Sequence, residues 1–273
     1  MGLNKLSMAS TILILVLSNP LLISSQEVED EHEFNYDTDD EEHGPEKWGE
    51  VREEWAACGK GKLQSPIDLS DDRVKVRSHL GLLTRSYRPA AAVLKNRGHD
   101  IMLRFEEDAG SISINGTEYR LRQLHWHSPS EHTFRGRRYS LELHMVHQTP
   151  DDKNVAVVGI LYKLGRPDPF LAEMEGYIKK LEDLVEKEEK VGTVDPRHVK
   201  RGSRKYYRYM GSLTVPPCTE GVVWTIVRKI RTVSRKQMNL LREAVHDHFN
   251  PNARPIQEIN GRTVNLFRPK KLP

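Results

Sequence analysis

From Trp48 onward, apolar and polar residues come in short runs broken by Gly, Pro and Asn. Successive side chains of a strand point to opposite faces, so alternation with period two predicts half-buried strands. Such runs cover Ala92 to Leu94, Asp100 to Phe105, Ser111 to Ile114, Glu118 to His127, Ser140 to Gln148, Val155 to Lys163 and Val222 to Val233. Two stretches change period. Pro169 to Lys190 sets Phe170, Met174, Ile178, Leu181 and Val185 at helical spacing, and Arg235 to Phe249 does so with Met238, Leu241 and Val245. They predict surface helices lying on a sheet, in a mainly β (α+β) chain without internal repeats.

Upstream of Trp48 the pattern is different. Residues 1–25 run from Lys5 through the apolar stretch Thr11 to Leu17 and end in Ser24-Ser25, the order of a cleaved secretory signal. The apolar run falls short of the roughly 20 residues of a spanning helix, and no later segment could span, so no stable membrane anchor is expected. Residues 26–46 hold eleven acids, no Lys or Arg and few apolar residues. Such a composition predicts a disordered acidic tail. The remaining 47–273 is long enough for one domain with its own core.

Charge adds one point. The formal net charge is +3, but with the acidic tail and leader set aside the body stands at about +13 by the same count. That excess suits solubility, and also weak contact with polyanions such as acidic wall polysaccharide or with the chain's own tail. The cluster Arg197, Lys200, Arg201, Arg204, Lys205 and Arg208, interleaved with Tyr206, Tyr207 and Tyr209, has the look of a nucleic-acid surface. The leader argues against that partner, and a solvated loop running into a strand is the favoured reading. With two cysteines in an oxidising compartment, either Cys58 and Cys218 pair or both are free buried thiols. Asn115-Gly116-Thr117 is a sequon with Gly at its centre, which places Asn115 at a hairpin tip able to accept a glycan in the secretory route.

The candidate chemistry sits in two of the strands. In Gln123-Leu124-His125-Trp126-His127, alternate residues share a face, so Gln123, His125 and His127 point together. In Leu141-Glu142-Leu143-His144, Glu142 and His144 do the same, and Arg135-Gly136-Arg137 supplies a turn that lets the strands pair antiparallel. Three neutral imidazoles with no fourth protein ligand leave Zn2+ an open position for water, as catalysis requires. Gln123 and Glu142 are placed to fix the second ring nitrogens of His125 and His144. A zinc protease would need His-Glu-x-x-His on a helix, and no such run exists.

These stretches, with Trp48-Gly49, Gln64 to Asp68, Asn96 to His99, Gln123 to His132, Glu142 to His147 and Gly211 to Cys218, resemble the α-class carbonic anhydrases, the plant members most. The resemblance implies a large twisted, mostly antiparallel central sheet of about ten strands with zinc at the floor of a conical cleft. It implies reversible hydration of carbon dioxide to bicarbonate and a proton by attack of zinc-bound hydroxide, the chemistry for which carbonic anhydrase is the type case. Weak ester hydrolysis and inhibition by sulfonamides would accompany it. Thr214 corresponds to the residue bridging the hydroxide and Glu131, and His99 to the proton shuttle near the cleft mouth. Val146, Val157, Leu213, Val215 and Trp224 resemble the substrate pocket, Asn252 and Arg254 supporting positions, and Cys58–Cys218 the bridge of extracellular members. An extracellular or apoplastic location follows, or a plastid reached through the secretory route.

Four positions depart from the pattern, one of them Val215, which stands where a threonine is common. Glu50 stands where a tyrosine is expected, and Arg97 and Met102 where asparagines are, which removes anchors for the proton-carrying waters and sets a cation beside His99. Proton transfer is therefore expected to limit turnover. A binding or storage protein on the same scaffold is the competing reading.

Overall fold

The computed structural model describes residues 33–182, 184–245 and 251–269. The leader, residues 26–32 and residues 246–250 of the second expected helix lie outside that set.

The expected strands form with their ends shifted by at most two residues, except that the run from Val222 to Val233 divides into Glu220–Val227 and Arg231–Val233. A mixed 13-stranded sheet is built on a path of ten strands, in the spatial order Glu188–Val194, Ala90–Asn96, Ile101–Phe105, Thr117–His127, Leu141–Gln148, Val155–Leu164, Glu220–Val227, Tyr206–Ser212, Val264–Phe267 and Val74–Val76. Neighbours along it are antiparallel except where Val155–Leu164 meets Glu220–Val227 and where Val264–Phe267 meets Val74–Val76. The central strands Leu141–Gln148 and Val155–Leu164 are buried along almost their whole length, as strands covered on both faces must be. The largest apolar cluster packs the two helices against one face, with Phe170, Met174, Ile178 and Leu241 among its members. A second, around Ile67, Val157, Tyr209, Leu213 and Trp224, fills the other face beside the histidines.

Two hairpins follow the expected turn chemistry. Asn115 and Gly116, at φ 52° and 84°, join Ser111–Ile114 to Thr117–His127, the left-handed pair that a two-residue hairpin requires. Asn115 is exposed at that tip. Arg135 and Gly136, at φ 52° and 72°, turn the chain between the two histidine strands.

The helical expectation for 169–190 is corrected. Asp168 caps the helix by accepting from Phe170 N, but the α-helix stops at Ile178 and a short 3₁₀ turn ends at Leu181. Asn96 donates to Leu181 O at 3.1 Å and closes that end, and the chain then reverses into the strand Glu188–Val194. That strand pairs with Ala90–Asn96 and satisfies an edge whose backbone groups would otherwise lack partners. Arg235–Glu243 is a helix as expected, opened by a capping box between Ser234 and Gln237.

The expectation of disorder through residue 46 is also corrected. Phe34 and Tyr36 are each 3 % exposed and pack edge-on against Trp48. Around them Asp40 accepts from the backbone N–H groups of Glu42 and His43, and Trp48 Nε1 donates to Asn35 O and His43 O. Two aromatic side chains, with the acids turned outward, are enough to seat this strap.

Candidate metal centre

Thr117–His127 and Leu141–Gln148 pair with His144 opposite His125 and Glu142 opposite His127. On the far side of Leu141–Gln148, Gly159 lies opposite His144 and Val157 opposite Val146. Cross-strand partners share a face, as do residues two apart. The three histidines, Gln123, Glu142 and Val146 therefore project from one side of the sheet.

Each histidine has one ring nitrogen committed to an acceptor. His125 Nδ1 donates to Gln123 Oε1 at 2.8 Å, His127 Nδ1 to Asn252 O at 2.6 Å, and His144 Nε2 to Glu142 Oε1 at 3.0 Å. The lone pairs of His125 Nε2, His127 Nε2 and His144 Nδ1 are left to converge, all within 4.8 Å of one another. His125 Nε2 and His144 Nδ1 are 3.2 Å apart. A tetrahedral zinc with ordinary Zn–N bonds spaces its nitrogens by about 3.3 Å. His127 Nε2 is buried without a hydrogen-bond partner, a cost that a cation would remove. Burial holds His125 well below its ordinary pKa, hence neutral and able to ligate. The donor set thus fits zinc.

Behind the ligands runs a relay that the sequence reading missed. Tyr209 OH donates to His132 Nε2 at 2.7 Å, and His132 Nδ1 donates to Glu142 Oε1 at 2.8 Å while its backbone N–H reaches Glu142 Oε2 at 2.8 Å. Ser65 Oγ lies 2.8 Å from Tyr209 OH. Burial alone would raise the pKa of Glu142, but the His132 and His144 imidazoles outweigh it and hold the carboxyl well below its usual range. Gly159 makes room for that carboxylate, since a Cβ there would lie 3.0 Å from Glu142 Oε1 and 2.6 Å from Ile226 Cδ1.

Glu131 is anchored on one side only. Its Oε1 accepts from Arg254 N at 3.0 Å, while Oε2 is buried without a partner, 3.6 Å from His127 Nε2. Thr214 is buried, but the hydrogen bond expected between it and Glu131 is absent from the structure. The Arg254 guanidinium donates to Gln64 Oε1, Ser65 O and Cys58 O, each at 2.8 Å, and stacks over Trp48. Cys58 is disulfide-bonded to Cys218, which decides between the two cysteine states the sequence left open. Arg254 and the disulfide thus tie the 211–218 loop to the segment carrying Glu131. Asn252 serves through its backbone as well as its side chain, whose Nδ2 donates to His99 O and Trp126 O.

Val146, Val157 and Trp224 form one row across three strands, since Val146 faces Val157 and Val157 faces Trp224. Leu213 joins them in the same cluster. Val215 does not: it packs with Phe34, Tyr36, Trp48 and the disulfide.

His99 is not open to solvent as expected. It is 3 % exposed, lies beneath the rings of Phe34 and Tyr36 at 5.3 and 6.3 Å, and neither ring nitrogen has a hydrogen-bond partner. Burial pushes it down to about 4, against the pull of Asp100 and with a smaller push from Arg97. Arg97 forms a buried two-point pair with Asp100, at 2.8 and 2.5 Å, so its charge is largely compensated. Met102 is buried opposite His125. Glu50 points to solvent beside Lys47 and is no part of the site.

Comparison with known proteins gives the family and the fold. A family model described as eukaryotic-type carbonic anhydrase matches residues 43–268. Alpha carbonic anhydrase 7 of Arabidopsis thaliana is 60% identical over 246 residues, 90% of this chain and 89% of that protein. Among solved structures, dioscorin complexed with ascorbate superposes with a TM-score of 0.84 at 47% identity, covering 88% of this chain and 100% of that one. The alpha-carbonic anhydrase of Thermovibrio ammonificans, in complex with the inhibitor sulfanilamide, gives 0.77 at 33% identity over 85% and 98%.

Proposed function

This chain belongs to the eukaryotic-type carbonic anhydrases and hydrates carbon dioxide, and from that premise we propose that His125, His127 and His144 hold a zinc ion at which the reaction takes place. The observation carrying this is the convergence of three ring nitrogens, each on an imidazole whose other nitrogen is placed on a fixed acceptor. Bound there, zinc supplies the Lewis acidity that makes water a nucleophile at neutral pH.

The chain's own groups then orient and exclude. Glu131 Oε2 has no partner in this structure, and a Thr214 turned to donate its hydroxyl hydrogen there would keep its own oxygen only as an acceptor. Such a Thr214 admits a nucleophile that has a hydrogen to donate and turns that nucleophile's lone pair toward carbon dioxide. Val146, Val157, Leu213 and Trp224 offer the apolar wall for a substrate without charge. His99 takes the released proton once the ring cover of Phe34 and Tyr36 gives way. A sulfonamide is expected to bind in place of substrate, as sulfanilamide does in the Thermovibrio relative. The leader, the disulfide and the exposed sequon at Asn115 support passage through the secretory route.

The test is to purify the protein, count bound zinc, and follow carbon dioxide hydration with and without a sulfonamide beside His144→Ala. About one zinc per chain is expected, with metal and rate both lost in the variant. A His144→Ala protein that keeps both would overturn the proposal.

A further inference from the structure

A surface groove of about 690 Å³ lies at the far end of the central strands, lined by Lys163, Ser203, Lys205, Arg228, Lys229 and Arg231 and by no carboxylate. Lys163 is four residues beyond Gly159, the partner of His144, which puts the groove about 13 Å along the strand from the histidines. Its walls are fixed by the fold. Arg228 N donates to Lys205 O at 3.0 Å, Lys205 N donates to Ser203 Oγ at 2.9 Å, and Lys163 faces Thr232 across the parallel pair. Gly202, at φ 71°, lets the loop close down, since a Cβ there would lie 3.3 Å from Lys229 and 3.4 Å from Arg231.

The five cations are not equivalent. Arg228 is held by Asp71 at 2.5 Å and Arg231 by Asp168 at 3.3 Å. Lys163, Lys205 and Lys229 have no ion pair among the described residues, and all three are exposed. Like charges gathered at one place raise the local potential, and only a ligand of opposite sign lowers it. The chain's acidic strap cannot serve over residues 33–46, because Phe34 and Tyr36 seat it on Trp48.

We infer that this groove binds an acidic polysaccharide, a chain of uronate sugars whose repeated carboxylates meet Lys163, Lys205 and Lys229. Three ammonium groups contributed by separate segments suit single charges repeated along a polymer. The Arg228 fork is engaged at two points by Asp71, and Arg231 is held through Nη2 by Asp168, so the two-point donors that phosphate recognition favours are reduced to one partly committed side chain. No aromatic ring lines the groove, and Tyr206, Tyr207 and Tyr209 of the neighbouring strand are buried, so the stacking platform of a nucleic-acid site is missing. Hydroxyls of Ser203 and Thr232 are present for sugar hydroxyls.

The test measures binding of the whole protein to immobilised oligogalacturonate, with a neutral dextran and a single-stranded DNA as comparison probes. The triple variant K163Q, K205Q, K229Q is set beside K60Q, K75Q, K190Q, which removes the same charge elsewhere on the surface. Carbon dioxide hydration, unchanged in both, reports folding. The groove variant is expected to weaken oligogalacturonate binding about tenfold, from three contacts each worth a fraction of a kcal/mol, and binding should fall with salt. The control variant should leave it within about twofold. No binding by the unmodified protein, equal loss in both variants, or DNA binding as tight and as sensitive to the groove lysines would each overturn the assignment.

Discussion

Glu142 accepts three hydrogen bonds on two oxygens, from His132 Nδ1, His132 N and His144 Nε2. Glutamine in its place has one accepting oxygen, and its amide would face an N–H donor at the other site. Glu142→Gln is therefore expected to lower zinc affinity by about 10- to 100-fold, the usual effect of removing a partner that orients a metal-binding histidine. Competition against a chelator measures it, and an unchanged affinity would show that His144 needs no such anchor. Gly159→Ala attacks the same carboxylate from the adjacent strand. The new methyl meets Ile226 at 2.6 Å and Glu142 at 3.0 Å, and overpacking of that kind costs about 1–3 kcal/mol. A lowered unfolding midpoint together with weaker zinc binding is expected; loss of stability alone would mean that the strain is absorbed by Ile226.

Among the elements, the strap at 33–46 has the clearest consequence. Phe34 and Tyr36 cover His99, so if His99 carries the proton as proposed, its exchange with buffer waits for their displacement. Phe34→Ala is expected to raise kcat several-fold in dilute buffer and to leave kcat/KM for carbon dioxide unchanged, because only the proton step is relieved. Concentrated imidazole should raise kcat of the unmodified protein and close the gap. A variant whose kcat does not respond to buffer would place the limit elsewhere. The strap was hard to read because eleven acids mask two aromatics spaced to share one face. The histidine strands were legible for the opposite reason: they are long and central, and period two fixes which side chains converge. What local pattern could not show was distant pairing. Tyr209 meets His132 from another strand of the sheet with Ser65 of a distant loop behind it, and Glu188–Val194 is a strand only because Ala90–Asn96 offers it an edge. Val185 completes a helical spacing in the sequence, yet Asn96 closes the chain at Leu181 before that spacing can be used.

For the molecule as a whole, two buried imidazoles outside the metal ligands contribute to the response to acid. His147, turned away from the metal ligands, donates through Nδ1 to Ala156 O at 3.2 Å and accepts from Tyr87 OH at 2.7 Å, and burial pushes its pKa down to about 4. His99 is lowered to about 4 by burial as well. Unfolded, both would titrate near 6.5. Above that pH neither form carries the extra proton and nothing is lost. As pH falls below 6.5 the unfolded chain binds protons that the fold excludes, so the contribution of these two histidines to stability declines with falling pH and levels off only below about 4, by about 3 kcal/mol for each. His147→Gln removes one of the two titrations and retains a polar side chain beside Tyr87. Its unfolding midpoint in urea is expected to be lower than that of the unmodified protein at neutral pH, through imperfect replacement of the two hydrogen bonds. The difference between the proteins should then narrow steadily from pH 6.5 toward 4. Differencing the two profiles cancels the contribution of groups distant from position 147, the metal ligands included. Parallel profiles across that window would mean that His147 takes up its proton inside the fold, with Tyr87 turning to accept it.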